Sequence, residues 1–256
     1  MDCAFAGRRT VSRFFYTAAQ LHNDDVTLTG DDARHLSRVL RASSGDVIQL
    51  CNESGRSQNA EITFVGKESV TCRLASLLPD REPGVRVTLA FALLKGEKTD
   101  FVLQKATELG VSAFIPFSSI RCVARIDKKA GDKLDRWGKI VRSAAGQSLR
   151  NRIPLISAPL DWPQLLLEFR NYQRIAFFWE GEGDRPLAPV LKGVLPGENI
   201  LLVTGPEGGF SREEAEDAMA GGAEAVTLGP RILRAETAAV VSVAVALYEA
   251  GEMGGN

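Results

Sequence analysis

Leu201-Leu202-Val203-Thr204-Gly205-Pro206-Glu207-Gly208-Gly209-Phe210 and Val226-Thr227-Leu228-Gly229-Pro230-Arg231-Ile232-Leu233-Arg234-Ala235-Glu236-Thr237 decide how this chain is read. Each is an apolar strand that runs into a glycine-proline turn. Glycine lets backbone amides and carbonyls approach a ligand closely, and proline fixes the turn. A helix begins after the first loop, which raises the thought of a phosphate cradle. Ser211-Arg212-Glu213-Glu214 is however a capping box whose side chains would occupy the helix's free amides. There is no Gly-Lys-Ser/Thr of a P-loop and no GxGxxG, and Glu207 would repel an anion. The loops suit an uncharged or cationic ligand held by backbone hydrogen bonds. One Gly-Pro alone reads as a tight turn between strand and helix; two long loops of this kind point to a binding site.

Around these loops the pattern is that of an α/β sheet. Val85–Leu94 is long enough for a central strand, a helix is expected over Lys98–Leu109 with Gly110 ending it, and Ser112–Phe117 is the next strand. Strand, helix and strand at that spacing imply parallel pairing. Tyr172–Trp179 and Glu198–Thr204 add two more strands. Thr237–Tyr248 carries no charge over twelve residues and is too short to span a membrane. It should be a helix buried on most sides, and a homodimer interface would complete its burial.

Residues 12–78 predict a small β-rich unit with one helix. Strands are expected at Arg13–Tyr16, Val26–Leu28, Val47–Leu50, Ala60–Val65 and Val70–Leu78, with a hairpin turn at Asn52-Glu53-Ser54-Gly55. Asp31 or Asp32 would cap a helix running to about Arg41, with Leu36, Val39 and Leu40 inward and Arg34, Arg38 and Arg41 in a stripe outside. A solvated helix face is the plainer account of that stripe. Pro79-Asp80-Arg81-Glu82-Pro83-Gly84 reads as a linker.

With 256 residues, 45% hydrophobic and 25% charged, the composition is that of an ordinary folded protein. The net charge of -1 conceals a division. Residues 121–152 hold ten Lys/Arg against three Asp, whereas residues 161–256 hold seven against fifteen acids. One concentrated basic segment suggests a particular anionic partner. Within it, a helix over Lys133–Arg150 would turn Leu134, Trp137, Val141, Ala144 and Ala145 inward. Arg136, Lys139, Ser143, Gln147 and Arg150 would share the other face. A polar outer face is what any amphipathic helix shows; the near absence of acids in this row favours an anion. Four cysteines lack C-x-x-C spacing, so reduced cytoplasmic thiols and no metal site are expected. Both histidines, His22 and His35, lie near the start, so no histidine chemistry is expected after residue 80. Arg8-Arg9 is followed by no apolar run, and no export signal is read there.

The two loops resemble the knotted SPOUT-class RNA methyltransferases. The nearest likeness is to the subfamily that methylates N3 of a uridine in bacterial 16S ribosomal RNA. The likeness extends to Lys95 with Gln104–Val111, to Trp137, Gln147 and Arg150 with Arg136, and to His35-Leu36 with Val39-Leu40-Arg41 and Gly45-Asp46, which resemble that family's PUA-like RNA-binding domain. It implies a C-terminal SPOUT-type α/β domain, with a trefoil knot around a mainly parallel sheet, at residues 85–250. A PUA-like domain at 1–78, a linker at 79–84 and a flexible tail at 251–256 complete the expected organisation. It also implies a homodimer through the C-terminal domain, with 16S ribosomal RNA or the small ribosomal subunit as partner.

The implied cofactor is S-adenosyl-L-methionine, held by Thr204, Gly205, Pro206, Glu207, Gly208, Gly209, Leu228, Gly229, Ile232, Leu233 and Thr237. The expected RNA contacts are Arg13, Arg34, Arg38, Arg121, Arg136, Lys139, Gln147 and Arg150. Uracil N3 must lose a proton to become nucleophilic, and its charge spreads over the flanking carbonyls. Arg234 is the candidate to stabilise that charge. Glu236 is a candidate proton acceptor, with capping of the following helix as its alternative role. A ribose 2′-O methyltransferase of the same superclass and a non-catalytic ribosomal RNA-binding protein are the rival readings.

Overall fold

The computed structural model describes residues 11–123, 130–181 and 185–254. Cys3, Arg8, Arg9, Arg125, Lys128, Lys129 and the last two residues of the tail, which entered the expectations above, lie outside the described residues. By its contacts the chain divides into two units, Met1–Glu82 with Ala145–Arg152, and Pro83–Ala144 with Ile153–Asn256.

The first unit is a six-stranded sheet. Its strands are β1 (Val11–Tyr16), β2 (Leu21–His22), β3 (Asp25–Thr29), β4 (Val47–Asn52), β5 (Ser57–Val65) and β6 (Ser69–Leu77), in the order β1-β4-β5-β6-β3-β2. Only β1–β4 is parallel; the other pairs are antiparallel. The β4–β5 hairpin turns at Gly55, whose φ of +86° suits glycine, and Asn52 Oδ1 accepts from the Ser54 and Arg56 amides. Alternate residues Ile48 and Leu50 join Phe14, Val26, Leu28 and Ile62 in an apolar core. β4 is nonetheless buried on both faces, because residues 145–152 cover the side that Gln49 and Cys51 present.

The expected helix of this unit is shorter than its pattern suggests. α1 runs only Gly30–Arg34 after Thr29 and passes into a wider π turn at His35–Val39. Arg41 has φ +51° and is off the helix, and Val39 is 70% exposed rather than inward. The three-arginine stripe is therefore corrected to Arg34, which pairs with Asp31, and Arg38.

The second unit is built on six parallel strands. They are β7 (Arg86–Ala92), β8 (Ala113–Phe117), β9 (Leu155–Ile156), β10 (Arg174–Phe178), β11 (Asn199–Thr204) and β12 (Glu224–Val226), in the order β12-β10-β11-β7-β8-β9. Helices α2 (Lys98–Leu109), α3 (Ala130–Gln147), α4 (Trp162–Glu168), α5 (Ala188–Leu191), α6 (Arg212–Ala220) and α7 (Ala235–Glu249) connect or follow them. The sheet is buried on both faces, as parallel sheets are. On one face Val87, Leu89, Phe91, Ile200 and Leu202 meet α2 and α7 residues such as Val102, Leu103, Val243 and Leu247. On the other face Ala90, Leu201 and Val203 meet Trp162, Leu165, Ala215 and Ala218 of α4 and α6.

Two further expectations need correction. α7 buries Ala239, Ser242, Val243, Ala246 and Leu247, while Val240, Val241, Ala244 and Val245 remain partly exposed and Tyr248 is exposed. In the single chain it is buried on one side rather than most. The tail is not wholly free, since Glu252 Oε1 accepts a 2.9 Å hydrogen bond from the Gly84 amide.

Candidate functional site

Parallel strands place all their carboxyl-end loops along one edge of the sheet, where α/β folds form their sites. β12, β10, β11 and β7 are consecutive in the sheet. The loops that follow them, 227–234, 179–181, 205–211 and 93–97, therefore lie side by side. The first three of these loops, with Lys98 of α2, line a cavity of about 820 Å³, a volume that suits a small-molecule ligand.

The first loop is shaped from below. Phe210 turns down into an aromatic cluster, 4.4 Å from the Phe177 ring and 5.6 Å from Trp162 by ring centroids, and stacks on Phe117. A Cβ on Gly205 would stand 2.9 Å from the Phe210 ring, so glycine there admits the anchor as well as any ligand. The Gly209 amide closes the turn onto the Pro206 carbonyl at 2.9 Å, with Gly209 at φ +67°. Ser211 and Glu214 form the expected capping box. Glu214 is almost wholly buried, and its second oxygen accepts the Ile120 amide at 2.8 Å.

The second loop is shaped by Thr227, whose hydroxyl accepts from the Gly229 amide at 3.1 Å. Gly229 has φ +104° and nothing within 4 Å of a built Cβ, so its glycine is required by conformation and not by crowding. The loop ends at Arg234, the N-cap of α7.

Of the residues expected to hold a cofactor, Gly205, Pro206, Glu207, Gly209, Leu228, Gly229, Ile232 and Leu233 line the cavity, and so does Arg234. Thr204, Gly208 and Thr237 do not. The Thr204 hydroxyl is turned into the sheet toward the Ala90 carbonyl, and the Gly208 carbonyl accepts from Arg121 at 3.1 Å. Four liners lie outside the two quoted loops and the helix after them, and the sequence reading missed them: Lys98, Phe178, Trp179 and Glu180. Phe178 ends β10 and the other two follow it, and only the strand order reveals that this strand lies between β11 and β12.

Lys98 begins α2 and reaches both loops. Its Nζ is 3.0 Å from Glu207 Oε1 and 3.4 Å from Glu236 Oε2. The Glu207 carboxylate raises the Lys98 pKa above the ordinary lysine value. Burial alone would raise Glu207, but hydrogen bonds from its own backbone and from Lys98 bring it below the usual range. Glu236 stands in the first turn of α7, where a carboxylate also meets the helix dipole. Its Oε2 is buried without a hydrogen-bond partner, because the Lys98 approach is an ion-pair distance without hydrogen-bond alignment.

The residues expected at RNA separate into two groups. Arg34, Arg38, Arg121, Arg136, Lys139 and Gln147 are exposed. Arg13 and Arg150 are only 3% and 5% exposed, and their assignment to phosphates is corrected. Arg13 donates to Gln49 Oε1 from Nε and Nη2 at 3.2 and 3.0 Å, and to Asn151 Oδ1 at 2.6 Å. Arg150 lies beyond the end of α3, after Leu149 at φ +58°, and pairs with Glu82. Glu82 Oε1 also accepts the Asn151 and Arg152 amides. Both arginines thus fasten residues 145–152 within the first unit. On α3, Arg136 pairs with Asp100 of α2.

Comparison with known proteins agrees with this geometry. Residues 81–247 match the family model described as an RNA methyltransferase domain, and residues 28–75 the one described as an RNA methyltransferase PUA domain. The chain is 35% identical over 229 residues to the ribosomal RNA small subunit methyltransferase E of Bacillus subtilis (strain 168), spanning 87% of this chain and 90% of that one. It is 34% identical to the protein of the same name from Synechocystis sp., over 91% of this chain and 76% of that one. Among solved structures it is similar to a ribosomal RNA small subunit methyltransferase E from Neisseria gonorrhoeae bound to S-adenosyl methionine. The TM-score is 0.81 at 31% identity, covering 92% of this chain and 96% of that one.

Proposed function

Because the chain belongs to the ribosomal RNA small subunit methyltransferase E family, we propose that it methylates N3 of a uridine in 16S ribosomal RNA with S-adenosylmethionine as donor. The cavity fits that donor. It offers an apolar floor at Phe178, Phe210 and Leu228, glycine backbone at positions 205, 209 and 229, and carboxylates at Glu180 and Glu207 for a cation. Gly205, Pro206, Gly209, Leu228, Gly229 and Leu233 would hold it, and when bound it supplies a methyl group on a positively charged sulfur. The trefoil knot that the resemblance implies is part of this proposal.

The protein's own part is to present the base, to move a proton and to stabilise charge. The uracil must leave its stack to expose N3. Deprotonated uracil spreads its charge over carbonyl oxygens on either side of N3, and a guanidinium offers several N–H donors to such an acceptor. Arg234, exposed and on the cavity, takes that role. Glu236 does not itself line the cavity, but it stands between the liners Ala235 and Ala238 and is the proposed proton acceptor. The single observation that carries this reading is the exposed guanidinium of Arg234 on the cavity, at the N-cap of the helix whose first turn carries Glu236. An alkoxide on ribose offers one oxygen and no such spread of charge, so this arrangement favours a base over a 2′-hydroxyl. Nucleoside mass analysis of small-subunit RNA from a strain lacking the gene tests it. Loss of 3-methyluridine alone supports the proposal, and loss of a 2′-O-methyl nucleoside supports the ribose reading.

A further inference from the structure

We propose that Lys98 is a positioning residue of this site, its ammonium bridging Glu207 of the first loop and Glu236 at the start of α7 to fix the spacing of the two cavity walls. The inference rests on the reading of the cavity as the S-adenosylmethionine site. Lys98 is well placed for the task because its own support is rigid. Thr99, Val102, Leu103 and Ala106 bury one side of α2, and the Thr99 hydroxyl holds the Leu94 carbonyl at 3.3 Å. Glu207 belongs to irregular loop backbone, and Glu236, like Lys98, to the first turn of a helix. The Lys98, Glu207 and Glu236 side chains are 34%, 29% and 15% exposed, so Glu236 is mostly covered and the other two are partly so.

An exposed ion pair at a protein surface contributes little, since water screens it. This ammonium differs by serving two acids from two walls at once. Without it, Glu207 and Glu236 are left as like charges near one another. Glu236 Oε2, which has no hydrogen bond, loses its nearby cation as well. The walls would then separate, and the donor would lose contacts on both sides of the cavity.

The test is calorimetry with S-adenosylmethionine on the full chain, with thermal melting as a check of folding. Lys98→Met should weaken binding by about tenfold, a coupling of ordinary size for a shared charge network. Lys98→Arg, which keeps the cation, should recover binding to within about threefold of wild type on the same scale. In a Glu207→Gln/Glu236→Gln background the repulsion is gone, so adding Lys98→Met should change affinity less than about twofold. A purely structural lysine would show neither the rescue nor the loss of effect in the neutral background. Wild-type affinity in Lys98→Met, an equal loss in Lys98→Arg, or a loss that persists in the neutral background each overturns the inference. If the wild-type protein itself takes up no S-adenosylmethionine, the reading of the cavity fails and the inference falls with it.

Discussion

Arginine at position 234 and arginines at positions 13 and 150 show how differently one side chain can be used. Arg234 stands exposed on the cavity, whereas the other two are buried and hydrogen-bonded. Arg234→Ala should lower turnover by about a hundredfold or more, as loss of a charge-stabilising donor does, while RNA binding stays close to wild type. Initial rates and filter binding check the two halves of that statement. Arg150→Ala should instead destabilise the protein by about 3 kcal/mol, because Glu82 is left as a buried charge without its cation. Arg13→Met should cost about 2 kcal/mol by leaving the Gln49 oxygen unmatched and Asn151 Oδ1 with only the Arg81 amide. Urea unfolding measures both losses, and RNA affinity per folded molecule should be unchanged. Arg234 was a candidate from its loop alone, whereas the burial of Arg13 and Arg150 was not legible in a sequence, which shows charge but not partners. Gln49, Glu82 and Asn151 are distant in the chain and individually unremarked. Lys98 escaped for the same reason, since its two carboxylates lie more than a hundred residues further on.

Among the elements, those with local signals were the legible ones. The capping box at Ser211–Glu214 is a four-residue pattern with a mechanism of its own, and it stands as read. α2 has the bounds that its apolar spacing and Gly110 dictate. α1 failed because Arg34, Arg38 and Arg41 fit a continuous helix in spacing, whereas the chain widens to a π turn after Arg34 and turns out of the helix at Arg41. α3 stops at Gln147, short of Arg150, and Gly146 explains part of that ending. A Cβ at 146 would stand 2.6 Å from the Arg13 carbonyl oxygen, an approach between distant segments that local spacing cannot announce. Lys139 of α3 is exposed and is the cation proposed for RNA, Arg136 being engaged with Asp100. Lys139→Ala should weaken RNA binding across sequences and reduce the slope of log affinity against log salt by about one. Titrations at several salt concentrations read this directly, and an unchanged slope would make that face merely solvated.

At the scale of the whole molecule, the α/β class and the parallel sheet were readable from strand and helix spacing. The site was readable from its paired glycine loops; the strand order that brings β10 between β11 and β12 was not. We propose that the partly exposed side of α7 is the homodimer face. Val241→Glu and Val245→Glu should then yield folded monomers by sedimentation, because both valines are only half-buried in one chain. Val243→Glu, at a fully buried position, should unfold the protein instead. A wild-type monomer at working concentrations would remove the dimer from the account. The most direct test of the methyl-transfer proposal itself uses small ribosomal subunits from a strain lacking the gene. They are incubated with purified protein and S-adenosylmethionine carrying an isotope-labelled methyl group, and the RNA is digested to nucleosides for mass analysis. Methyl transfer to N3 should place label in 3-methyluridine alone and none with the Gly229→Val protein, whose second loop cannot keep its φ of +104°. Label in a ribose-methylated nucleoside, or undiminished 3-methyluridine from Gly229→Val, would contradict it.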